Sequence, residues 1–159
     1  MRSICLATLV GSLLVSLTLS VVAADRPNII IIYTDDQGFG DASCLNSASG
    51  FQTPNLDRLA KEGVVFTNAH SPDTVCTPSR YGLLTGRYCW RTVKKTGVLN
   101  AEGPCLIKND RMTIASLLRG QGYDTAMVGK WHLGMQFPAE PGSRDWSKPV
   151  TDMPLDKGF

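Results

Sequence analysis

Residues 28–34 read Asn-Ile-Ile-Ile-Ile-Tyr-Thr, a run dominated by β-branched isoleucines with no polar alternation. A half-buried strand alternates apolar and polar positions. An unbroken run instead predicts a strand covered on both faces, the setting of a parallel sheet with helices on either side. The rest of the chain supplies a matching alternation. Thr53-Pro54 reads as an N-cap followed by proline at the first helical position, with Leu56, Leu59 and Ala60 as the apolar face and Gly63 as the stop. Residues 64–69 form a second strand candidate. Residues 78–84 form a short helix candidate closed by Gly86. Thr113 caps a third helix carrying Ile114, Leu117 and Leu118 and ended by Gly120 and Gly122, and residues 123–128 form a third strand candidate. The predicted order β-α-β-α-α-β is that of an α/β sheet. Beyond it, Pro138, Pro141, Pro149 and Pro154 break any regular element.

Length and charge narrow the function classes. A chain of 159 residues is one domain's worth, and its 43% hydrophobic content is that of a globular protein. A net charge of +2 with no basic stripe gives no electrostatic case for nucleic acid; Arg91, Lys94 and Lys95 read as a solvated face. The start of the chain reads as an address. Arg2 is followed by an almost wholly apolar stretch over 4–19, then by small residues through Ala23-Ala24, the three-part layout of a secretory signal peptide over 1–24. The apolar stretch is short for a membrane span, so no stable span is expected after cleavage and the mature part, 25–159, is expected to be exported. Export permits disulfides. Cys44, Cys76, Cys89 and Cys105 have irregular spacings that fit no zinc pattern.

Chemically interesting side chains fall where the predicted strands end. Asp35-Asp36 follows the first, at the sheet edge where ligands gather in open α/β folds. Adjacent carboxylates repel unless a cation lies between them, and hard divalent ions take such ligands; a solvated Asp-Asp turn is the plain alternative. Lys130 and His132 follow the third strand within Gly-Lys-Trp-His-Leu-Gly. In an extended segment this i, i+2 pair shares a face, where one side chain supplies charge and the other can move a proton. The plain alternative is a surface lysine beside a structural histidine. His70 has no nameable partner and reads as structural. The densest signal is Cys76-Thr77-Pro78-Ser79-Arg80-Tyr81-Gly82-Leu83-Leu84-Thr85-Gly86-Arg87. Pro78 suits a helix start, which puts Cys76 at a helix N-terminus favourable to an anion, with Arg80 one turn along. Cys76 is then an activated thiol or the precursor of another group, unless it is a half-cystine or a buried thiol.

This segment resembles the type I sulfatase signature C-x-P-S-R-x-x-x-L-T-G-R, and every fixed position matches. Asp35-Asp36, the Thr-Pro-Asn-Leu-Asp-Arg-Leu-Ala helix and Gly-Lys-Trp-His-Leu-Gly also resemble that family, in its order, so that the likeness runs from Arg26 to the end. It implies an alkaline-phosphatase-like sandwich with a mostly parallel central sheet flanked by helices. It implies that Cys76 is oxidised to formylglycine by a maturation enzyme, and that one hydroxyl of the hydrated aldehyde attacks the sulfur of a sulfate ester. Loss of the second hydroxyl's proton then expels sulfate and restores the aldehyde. Asp35, Asp36 and residue 76 would hold one divalent cation, usually Ca²⁺ in this family, which polarises the sulfate. Arg80 would stabilise the diol oxygen, Lys130 would bridge sulfate and formylglycine, and His132 would contact the diol and help draw off its proton. Pro78 and Ser79 would serve recognition and turn geometry, and Arg87 would pin the signature.

The chain departs from the family in what it lacks. Sulfatases supply a further Asp-Asn pair to the metal and a later His and Lys to the sulfate, and no such segment occurs here. Pro154-Leu155-Asp156-Lys157-Gly158-Phe159 resembles a family motif cut in the middle. The expectation is therefore the N-terminal part of a sulfatase catalytic domain, inactive alone. Two other readings stay open: a phosphate- or phosphonate-ester hydrolase of the same superfamily, and a non-catalytic secreted glycan-binding module in which Cys76 remains a thiol or disulfide.

Overall fold

A computed structural model describes residues 26–100, 103–139 and 142–159. The segment read as a signal peptide lies outside the described residues. The chain divides into two units, Met1–Thr34 and Asp35–Phe159. In the first, residues 26–34 are irregular and exposed.

Among its described residues the second unit has three helices: α1 (Pro54–Glu62), α2 (Cys76–Thr85) and α3 (Ile114–Gly120). Short 3-10 turns occur at Phe39–Asp41, Cys89–Arg91 and Pro154–Lys157. Local chemistry explains the helix bounds. Thr53 precedes α1 with Pro54 at its first position, and the amide of Gly63 closes it on the Leu59 carbonyl. The Thr53 hydroxyl does not cap the backbone; it bonds instead to the Asp57 carboxylate. Thr113 caps α3 reciprocally with Ser116. Gly86 ends α2 in the left-handed region (φ 63°), where a side chain would be strained. α2 begins two residues before Pro78, because the Val75 carbonyl already accepts from the Ser79 amide. Proline is tolerated there because amides in the first turn have no intrahelical partner.

The three predicted strands do not form among the described residues. Residues 28–34, 64–69 and 123–128 carry no strand ladder, and Ile30, Ile32, Val64 and Val128 lie exposed. Among the described residues the sheet-type pairing is one antiparallel bridge between Gln136 and Thr151. The physical reason is that a strand satisfies its backbone through neighbours, so an apolar run without partnering strands has nothing to form a ladder with.

The core lies where α2 meets α3 and the 89–91 turn. Tyr81, Cys89, Leu106, Ile107 and Leu133 are buried together, with Leu84, Leu99, Cys105 and Trp131 packed against them. Among the described residues, Ile107 and Leu133 are the largest fully buried apolar side chains. Each contributes about 1.5–3 kcal/mol on burial. The Leu133 carbonyl accepts from the Leu106 amide, and the Met135 amide donates to Gly103, so the 131–135 segment is fastened to the core. Gly134 is required there: a Cβ would stand 2.2 Å from the Pro104 carbonyl oxygen. No described helix is long and apolar enough to cross a membrane.

Candidate active site

The start of α2, the Asp35-Asp36 turn and the 130–132 segment converge in the second unit. Cys76 opens α2 as a free, half-buried thiol. Arg80, one turn along, spreads its guanidinium between two acceptors: Nη2 donates to Asp35 Oδ1 at 3.0 Å and Nη1 to the Lys130 carbonyl at 2.7 Å. Lys130 Nζ donates to Asp35 Oδ2 at 2.7 Å. Each carboxylate oxygen of Asp35 thus faces one cation.

The electrostatics follow from this geometry. The hydrogen bond from Lys130, and then that from Arg80, hold the Asp35 carboxyl below its ordinary range. In return, the bond to Asp35 holds the Lys130 ammonium above its ordinary range, and the nearby Cys76 thiol acts in the same direction. Burial pushes the Cys89 and Cys105 thiols up, away from reactive thiolate character. Cys44, Cys76, Cys89 and Cys105 are all free.

His132 has φ 53°, unusual for a residue with a Cβ, and Asp36 has φ 59°. His132 Nε2 lies 2.9 Å from the Leu99 carbonyl oxygen, while Nδ1 is buried without a hydrogen-bond partner. Asp36 is exposed, beside Asp35. Pro78 and Ser79 are buried, and Ser79 Oγ donates to the Asp73 carbonyl at 2.7 Å, tightening the loop that enters α2. Arg87 makes no side-chain hydrogen bond or ion pair among the described residues, and His70 pairs with Asn68 Oδ1 on the surface. Tyr88 and Trp90 stack on one another with centroids 4.0 Å apart.

Asp35 and Asp36 bring two hard carboxylate donors to one turn, which is the donor chemistry a Ca²⁺-type ion takes. They fill only part of a shell of about six to eight oxygens. Among the described residues no group of three or more His, Cys, Asp or Glu side chains converges to complete it. One buried polar residue escaped the sequence reading. Thr77, the variable position of the motif, is fully buried, donates to the His132 carbonyl and accepts from the Leu99 amide. A hydroxyl at a position the motif leaves free was its only trace in the sequence.

Comparison with known proteins adds an independent line. The family model described as Sulfatase matches residues 27–144. The chain is 43% identical over 136 residues to N-acetylgalactosamine-6-O-sulfatase of Bacteroides thetaiotaomicron, covering 86% of this chain and 26% of that protein. It is 44% identical over 124 residues to human arylsulfatase A, covering 78% and 24%, and 46% identical over 118 residues to human steryl-sulfatase, covering 71% and 20%. A solved structure described under the metabolism of multiple glycosaminoglycans by Bacteroides thetaiotaomicron superposes with a TM-score of 0.74 at 43% identity, covering 84% of this chain and 27% of that one. The chain therefore spans about a quarter of the length of the relatives it matches.

Proposed function

The chain belongs to the sulfatase family, and on that premise we propose that it carries the nucleophile end of a sulfuric-ester hydrolase site, with residue 76 as the attacking position. The observation that carries this is the convergence on Asp35: Arg80 and Lys130, from distant parts of the chain, meet one carboxylate beside the half-buried Cys76. Two fixed cations beside a helix N-terminus form a receptor for a sulfate-sized anion.

The residues divide the work. Residue 76, converted from cysteine to formylglycine by a maturation enzyme, would supply a hydrated aldehyde oxygen as nucleophile. Asp35, Asp36 and residue 76 would hold a Ca²⁺-type ion, whose chemistry there would be Lewis-acid polarisation of the sulfate. Arg80 holds its planar fork in place through the Lys130 carbonyl, so the cation is positioned before substrate arrives. Lys130 exchanges its bond to Asp35 for one to a sulfate oxygen. His132 takes a proton at the one ring nitrogen not already engaged.

The sulfatase names of the relatives favour a sulfate ester as substrate. Those names share the sulfate and differ in the alcohol. Export belongs to the same proposal and rests on the apolar 4–19 stretch and Ala23-Ala24; a mature chain beginning at Asp25 is the expected N-terminus. Residues 25–159 alone are proposed to be inactive, because they bring too few oxygens to the cation. Turnover of an aryl sulfate by that polypeptide alone would overturn this point.

The test of function is a paired assay on the product of the complete open reading frame, co-expressed with a formylglycine-generating enzyme. Aryl sulfate turnover that disappears in Cys76→Ala is expected. Turnover of aryl phosphate alone would favour the phosphate- or phosphonate-ester reading. Glycan binding without turnover of either ester would favour the non-catalytic module.

A further inference from the structure

Thr77, Leu99 and His132 form a closed hydrogen-bonded ring that joins three distant segments. The Thr77 hydroxyl donates to the His132 carbonyl at 3.0 Å and accepts from the Leu99 amide at 3.1 Å. His132 Nε2 lies 2.9 Å from the Leu99 carbonyl oxygen. Thr77 is 0% exposed, so these bonds form away from competing water.

Donor counting fixes the histidine. A carbonyl oxygen can only accept, so the proton of the neutral ring must sit on Nε2. The lone pair is then on Nδ1, the buried nitrogen that has no partner. An orphaned buried acceptor is costly, because it gives up its bond to water and gains none in return. Such an exception calls for an explanation, and a catalytic role is one that fits a ring nitrogen. The same ring explains the backbone at His132, whose positive φ persists because Thr77 grips its carbonyl and Leu99 grips its side chain.

We infer that Thr77 is a positioning residue: through the His132 carbonyl and Leu99 it locks His132 in the Nε2–H tautomer and presents Nδ1 as the site's proton acceptor. This rests on the sulfatase reading for its chemistry and not for its geometry. When Nδ1 takes a proton, Nε2–H keeps its bond to the Leu99 carbonyl, which steadies the imidazolium. The motif leaves position 77 unspecified, yet the fold needs a hydroxyl there. Valine matches the shape and removes both bonds; serine keeps them.

The experiment reads the tautomer directly by ¹⁵N-histidine NMR on the full chain, without turnover. The sequence holds two histidines, so a His70→Gln variant assigns the spectrum. Expected are an Nε2–H pattern for His132 in the wild type, its loss in Thr77→Val and its recovery in Thr77→Ser. In the matured enzyme, Thr77→Val lowers kcat by about 10–100-fold with KM little changed, the mark of a misplaced proton acceptor. A wild-type Nδ1–H pattern overturns the inference, as does a Thr77→Val protein that keeps both the wild-type pattern and kcat. If Thr77→Val does not fold, the wild-type and Thr77→Ser spectra decide. Failure of the sulfatase reading looks different: the tautomer is as expected, but no sulfate ester is turned over.

Discussion

The Asp35 carboxylate and the Lys130 ammonium stand 2.7 Å apart although 95 positions separate them in the chain. Arg80 completes the arrangement by bonding to the other Asp35 oxygen and to the Lys130 backbone. One carboxylate thus keeps two cations in place, and both sit at the helix end that Cys76 opens.

Removing that carboxylate should disturb cation binding first. Asp35→Ala takes away one of the two adjacent hard donors and releases Lys130 and Arg80 together. In the matured product of the complete open reading frame, the expected result is Ca²⁺ affinity lower by at least about tenfold, read by titration calorimetry, with a steep fall in sulfate-ester turnover. Unchanged affinity and rate would remove Asp35 from the site.

Arg80 serves by its shape as much as its charge. Its two terminal nitrogens reach different acceptors, which a single ammonium cannot reproduce. In the matured product of the complete open reading frame, Arg80→Lys is expected to lower kcat/KM by about 10–100-fold, measured by steady-state kinetics on an aryl sulfate. A near-normal value would show that charge alone suffices.

Asp57 gives the Asp35–Phe159 unit an acid-sensitive joint. Its carboxylate accepts from the Ser43 hydroxyl, the Thr53 hydroxyl and the Cys44 amide, tying the 43–53 loop to α1. The Ser43 bond above all holds the carboxyl below its ordinary value of 3.8. The folded value is the lower one, so the stabilisation is complete above pH 3.8 and is lost as the pH falls through the folded value. The gap in denaturation midpoint between wild type and Asp57→Asn should therefore shrink on acidification below that point. A gap independent of pH would contradict the assignment.

Gly134 is fixed by space and by backbone together. It lies two positions after His132 and has φ 79°, and a Cβ there would collide with the Pro104 carbonyl. Gly134→Ala is expected to cost at least about 1 kcal/mol of stability, read by chemical denaturation, and to shift the 131–135 segment. A neutral substitution would mean that this segment is not clamped as described.

Helices were legible in the sequence because their signals are local. Thr53-Pro54, Thr113 and Gly86 each act on the turn beside them, and the structure places all three at helix ends. Strands were not, because the isoleucines of 28–34 state a preference for burial but cannot supply the neighbouring strands that burial requires. Cys76, Arg80, Lys130, His132 and Asp35 stood out through motif spacing and family resemblance. Thr77 did not, since its contribution lies in two hydrogen bonds to the backbones of Leu99 and His132, which no spacing rule encodes.

The most direct test of the central claim is mass spectrometry of the peptide containing residue 76, after co-expression with a formylglycine-generating enzyme. Loss of the cysteine sulfur with gain of an aldehyde oxygen is the expected result, and it would identify residue 76 as the precursor of the nucleophile. A residue 76 that remains a thiol or a disulfide under those conditions would contradict the claim and favour a chain that binds rather than cleaves.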